Sequence, residues 1–191
     1  MKKLVVLVVL CVAGFALSLN EMQSVIQQNI DKSRAFLVQY GEDKNRAANE
    51  MFKLFDPIFD YALMAKLSLS KHYDTLSVAQ KKEFDETFEI QLKTTFTNHL
   101  SVYKNEDIKV TGKEKVKERI FLNATMLING EQRAIVFKFY DKKGDWLVYD
   151  VDVAGVSIIQ TYRSQFADLL EKENFSVLLD RLKAKNFEIK K

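Results

Sequence analysis

The chain has 191 residues, with 29 Lys and Arg against 26 Asp and Glu and 47% hydrophobic residues. A net charge of +3 gives no support to nucleic-acid binding, which rests on a concentrated basic face. The one cysteine, Cys11, sits in an apolar run at the N-terminus, so the rest of the chain can make neither a disulfide nor a cysteine-based zinc or redox site.

Lys2 and Lys3 precede that run, Leu4 to Leu17, and Ala16-Leu17-Ser18 is a small-x-small triplet. This is the pattern of a cleaved secretory signal, and the run is shorter than the roughly 20 residues a membrane anchor needs. Cys11 follows Leu10, where a lipoprotein signal wants a small residue, so it reads as an ordinary signal-peptide cysteine. The expected organisation is a signal over residues 1–18 and a single domain over 19–191, exported to the periplasm. Losing Lys2 and Lys3 lowers the charge from +3 to +1. One proline, six glycines and no Pro/Gly/Ser-rich linker leave no domain boundary.

The first half reads as helical. From Glu21 to Tyr40 an apolar stripe of Met22, Val25, Ile26, Ile30, Phe36 and Leu37 recurs at helical spacing, and Gly41 closes it. A second helix spans 44–55 and ends before Pro57. A third runs from an Asp60 cap to Leu69. The fourth starts at Ser77 with Gln80 three residues on, a capping-box pattern. It repeats Phe84, Phe88, Leu92 and Phe96 every four residues and ends near Tyr103. Strands follow: Ile108 to Thr111, Val116 to Ile128, a turn at Asn129-Gly130, Gln132 to Tyr140, a turn over 141–144, and Trp146 to Val153. Strict alternation puts Leu147, Tyr149, Val151 and Val153 on one face of the last strand, and Trp146, Val148, Asp150 and Asp152 on the other. Gly155 breaks that strand, and two helices close the chain, 157–172 and 175–185. The fold class is α+β: a helical N-terminal half, a four-stranded antiparallel sheet and two C-terminal helices.

Signals for chemistry are sparse. His72 and His99 stand in no metal-binding spacing, and no phosphate loop or nucleophile elbow is present. Asp150 could serve as a general base if its strand face lined an apolar cone, as in ketosteroid isomerases; a structural pair with Lys or Arg is the plain alternative. Arg163 suits an anionic head group or a surface ion pair. The 14 Phe, 7 Tyr and 1 Trp fit an aromatic core or the wall of a large apolar pocket, and periodicity does not separate the two.

Three blocks carry a resemblance: FDPIFDYALMAKLSLSKHY (55–73), LSVAQKKEFDETFEIQLKTTFTNHLSVY (76–103) and WLVYDVDVAGVSIIQTYRSQF (146–166). In order and spacing they resemble the periplasmic phospholipid-binding proteins of the MlaC/Ttg2D (toluene-tolerance) family. Two features depart from it: Ser70-Lys71 stands where many members carry Gly-Arg, and the chain without its signal is close to neutral. The resemblance implies no enzyme and no cofactor. It implies a soluble carrier with phospholipid as cargo, moving between an outer-membrane lipoprotein–porin complex and an inner-membrane ABC transporter with an MCE-domain ring, to maintain outer-membrane lipid asymmetry. On that reading a large apolar cavity lies between sheet and helices. Ile135, Phe137, Phe139, Leu147, Tyr149, Val151 and Val153 are its candidate sheet wall, and Phe84, Phe88, Leu92, Ile159, Tyr162 and Phe166 its helical wall. The rival readings are an isomerase-type enzyme with Asp150 as base and a periplasmic interaction module without a ligand.

Overall fold

A computed structural model describes residues 16–100, 106–128 and 130–184. Most of the expected signal (residues 1–15), the end of the fourth helix near Tyr103, the Asn129 turn position and the end of the last helix at Lys185 lie outside them.

Helices fill the first half as their capping residues dictate. α1 (Met22–Tyr40) packs against α2 (Lys44–Phe55). The Asp43 side chain caps α2 by accepting from Arg46 N–H. Pro57 then forces a 3₁₀ turn, Asp56–Ile58. Asp60 caps α3 (Tyr61–Leu69) through Leu63 N–H. A short α4 (Lys71–Asp74), not anticipated from the periodicity, leads into α5 (Val78–His99). The Ser77–Gln80 capping box forms in both directions.

The sheet has five strands rather than four, in the order β1 (Ile108–Val116), β2 (Arg119–Ile128), β3 (Glu131–Lys142), β4 (Asp145–Val153), β5 (Val156–Ser157), every neighbour antiparallel. Val116 belongs to β1, because the tight turn falls at Lys117–Glu118. The extra strand arises from Ala154–Gly155. Both residues have positive φ, 52° and 83°, the pair a two-residue hairpin turn requires. The chain therefore folds back on β4 for two residues before Ser157 caps α6 (Ile158–Leu170). α7 (Phe175–Lys183) follows.

Strict alternation fails in β4. Lys138 pairs with Asp150 but Phe139 pairs with Val148, so Tyr149 is an extra residue on the β4 side, a bulge that shifts the pleat by one. Val148 therefore joins Phe139 and Val151 in the sheet's apolar cluster, with Trp146 packed against it. Leu147 and Tyr149 turn to the other face. The Tyr149 ring meets that of Tyr140 at 6.2 Å and Arg119 at 4.7 Å. The expected companionship of Leu147, Tyr149, Val151 and Val153 is thus corrected: only Val151 and Val153 share the apolar face.

Candidate functional site

Among the described residues the buried apolar side chains, Leu147 and Leu179 apart, fall into three clusters rather than one contiguous core. The first joins the sheet face (Leu122, Phe137, Phe139, Val148, Val151) to Met22 and Ile26 of α1. The second is helical and joins α3, α5, α6 and α7. The third ties α2 to Leu100. Domains of this size usually bury one contiguous core. Phe59 and Ile158 are half-buried and pack against both the sheet and the helical clusters, so they mark the seam between them.

The helical candidates meet one another. Phe88 and Tyr162 stack edge-on at 5.1 Å, Tyr162 and Phe166 lie 5.5 Å apart, and Phe84 touches Phe88, Phe166 and Phe175 at 5.9 to 6.1 Å. Phe84, Phe88 and Tyr162 are 0% exposed, and Phe166 is 1%. These rings are saturated by aromatic neighbours, each contact worth about 0.5–1.5 kcal/mol beyond burial. Ile159 is buried in the same cluster and Leu92 half-buried against it.

The sheet candidates are less uniformly covered. Phe139 is fully buried beside Ile120 and Val148. Ile135, Phe137 and Val151 keep 8–9% exposure, and Val153 is half-buried. These four are neighbours across the ladder, Ile135 opposite Val153 and Phe137 opposite Val151. They form a compact apolar patch next to the seam. Phe59 and Ile158 join this surface without belonging to the candidate wall read from the sequence. Phe59 lies in the irregular stretch after Pro57, where no period applies, and Ile158 is the first residue of α6, where helical spacing does not separate it from its neighbour Ile159.

Two carboxylates tie the helical layer to the sheet. Asp60 accepts from Leu63 N–H at 3.0 Å and Lys142 Nζ at 3.0 Å, and from the Tyr140 hydroxyl, while its own N–H donates to Val148 C=O. Burial by itself raises the Asp60 carboxyl, but these donors outweigh it and hold the group below the usual carboxylate range. Asp150 accepts from Lys138 Nζ at 2.9 Å, the Ser157 hydroxyl at 2.7 Å and Ile159 N–H at 3.1 Å, so it anchors the start of α6. Lys138 also pairs with Asp152 at 2.6 Å. Burial lowers the Lys138 ammonium's affinity for its proton, and the two carboxylates more than restore it. Asp150 stands with Lys138 on the face opposite the apolar cluster. Both its oxygens are engaged, which is the chemistry of an anchor rather than of a base facing an apolar cavity.

Arg163 donates to Ser70 Oγ at 2.7 Å. The two border an open cavity of about 230 Å³ with Leu69, Lys71, His72 and Ala167. Its volume falls below the roughly 300–1,000 Å³ that encloses a ligand, and its rim is cationic. Ser70 holds φ at 54°, a conformation glycine adopts freely. That gives a physical reason for a glycine to stand here in the pattern the chain resembles. Among the described residues no helix is long and apolar enough to cross a membrane, and no group of three or more His, Cys, Asp or Glu is placed to hold a metal ion.

The model of the family described as "MlaC protein" matches residues 23–184. The intermembrane phospholipid transport system binding protein MlaC of Haemophilus influenzae is 26% identical over 120 residues, 60% of this chain and 56% of that protein. The toluene tolerance protein ttg2D of Pseudomonas putida is 25% identical over 138 residues, 70% of this chain and 64% of that one. The matched stretch thus spans less than two thirds of each relative. A solved phospholipid-binding protein from Ralstonia solanacearum, in complex with a phospholipid, shares the fold with a TM-score of 0.73 at 18% identity, over 86% of this chain and 96% of that one. With four fifths of its length inside the family match, the chain belongs to the MlaC family.

Proposed function

We propose that this protein is a periplasmic phospholipid carrier, exported on a cleaved signal. It takes the acyl chains into the seam between the sheet patch and the helical layer. It passes lipid between an outer-membrane lipoprotein–porin complex and an inner-membrane ABC transporter with an MCE-domain ring, and the phospholipid is cargo, not cofactor. The observation that carries this reading is the divided core. The apolar patch of Ile135, Phe137, Val151 and Val153 adjoins a seam where Phe59 and Ile158 lie between two separately packed clusters. The name of the Haemophilus relative and the lipid in the Ralstonia complex support the same class of ligand.

The physics favours such a device. Each methylene moved from water to an apolar site gains about 0.8 kcal/mol, so exposing both tails of one phospholipid costs on the order of 20 kcal/mol. A carrier must bury the tails, can leave the head group in water and needs no catalytic group. Asp60 and Asp150 pin the helical layer to β3 and β4 beside Phe59 and Ile158, so the two layers stay in place around the bound tails.

Native mass spectrometry of the protein purified from its periplasm, with lipid extraction, tests the proposal. One two-chain phospholipid per protein is the expected result. A protein that is empty as isolated and takes up no lipid from phospholipid vesicles contradicts it.

A further inference from the structure

Leu17 and Ser18 are built into the domain, although the small-x-small triplet places a cut just behind them. Leu17 is 1% exposed and packs in the sheet cluster with Met22, Ile26 and Ile58. Its carbonyl accepts from Trp146 N–H at 3.0 Å, and its own nitrogen donates to Asp145 Oδ1 at 2.8 Å. Ser18 is bonded to the turn that leads into α1. Its hydroxyl donates to Glu21 Oε2 at 2.6 Å and accepts from Glu21 N–H at 3.3 Å, and its carbonyl accepts from Met22 N–H at 3.1 Å. A cut after Ser18 discards all of these. Ala16, immediately before, is exposed, and Gly14 and Ala16 supply small residues three and one positions ahead of the Ala16–Leu17 bond, the spacing signal peptidase reads.

We propose that the Ala16–Leu17 bond is the processing site and that Leu17 is the mature N-terminus, its α-ammonium seated on the Asp145 carboxylate. Hydrolysis leaves the carboxylate on Ala16 with the departing leader and the amine on Leu17, where it is protonated. The cut occurs in the extended chain, before Leu17 packs. The nitrogen that already lies 2.8 Å from Asp145 Oδ1 then changes from an amide donor to a cation. Charge-assisted bonds of this kind are roughly twice as strong as neutral ones. The new terminus pins the first residues of β4 and closes one end of the apolar sheet face under the Leu17 side chain.

N-terminal sequencing and intact mass of the full-length chain, expressed in a Gram-negative host and recovered from its periplasm, test the site. The expected chain begins Leu17-Ser18-Leu19. A chain beginning at any other residue, or uncut, overturns the proposal. The ammonium is tested by adding Asp145→Asn to two proteins, the processed one and one made without a leader that begins with Ala16→Met. Asp145→Asn should lower Tm by about 2–4 °C in the processed protein and by clearly less in the extended one, where Leu17 keeps only its amide. Equal shifts in the two overturn the seating of the ammonium on Asp145.

Discussion

The helical cluster and the sheet patch are both aromatic and aliphatic surfaces of similar composition, yet they are finished differently. In the helical cluster Phe84, Phe88, Tyr162 and Phe166 close on one another, and no face is left over. On the sheet, Ile135, Phe137 and Val151 keep 8–9% exposure and Val153 is half-buried, while Phe59 and Ile158 divide their contacts between two clusters. A stripe of rings at helical spacing is therefore weak evidence for a ligand wall. The informative feature is apolar surface that the protein's own side chains leave incompletely covered.

That contrast can be broken by substitution. Phe88→Ala should open a cavity in the helical cluster and cost about 3–5 kcal/mol in denaturant unfolding, while lipid per folded molecule stays near the parent value. A large loss of lipid at unchanged stability would move the ligand into the helical cluster. Asp150→Ala removes the acceptor for three donors and should cost about 2–3 kcal/mol. Here Asp150→Asn should recover part of the loss, as expected of an anchor rather than a base.

Asp60→Asn should cost about 1 kcal/mol near neutral pH, through the weakened cap and the lost pairing with Lys142. The folded carboxyl titrates below its unfolded value of about 3.9. Its contribution is therefore present above that value and lost as pH falls through the lower, folded one. The stability gap between parent and Asp60→Asn should close as unfolding is measured at progressively lower pH below about 4. Val153→Asn, at a half-buried position, should change stability least, by under about 1 kcal/mol, yet reduce lipid recovered per protein several-fold in native mass spectra. Unchanged lipid loading there would remove the patch from the binding wall.

Helix positions were legible because their signals are local. Ser77 with Gln80, Asp60 before its apolar run, and Pro57 after Phe55 each specify a boundary through a hydrogen bond or its absence. The sheet was legible in its long strands and in the turns on either side of β3, but not at the Lys117–Glu118 turn, in its last strand or in the face order of β4. The bulge at Tyr149 depends on which residues Lys138 and Phe139 choose across the ladder, and the hairpin at Ala154–Gly155 leads to only two residues of strand. Neither leaves a periodic trace. The candidate wall was readable as apolar residues but not as covered or uncovered ones. Phe88 and Phe137 look alike in sequence, and only the partners brought from α6 and β4 separate them.

The central claim is that acyl chains lie against the sheet patch and the seam, not within the helical cluster. Intermolecular nuclear Overhauser effects in the phospholipid-loaded protein, with methyl-labelled Ile, Leu and Val, test it most directly. The account predicts contacts from acyl methylenes to Ile135, Val151, Val153 and Ile158. Contacts confined to Ile159, Leu178 and Leu182, which are buried in the helical cluster, would contradict it.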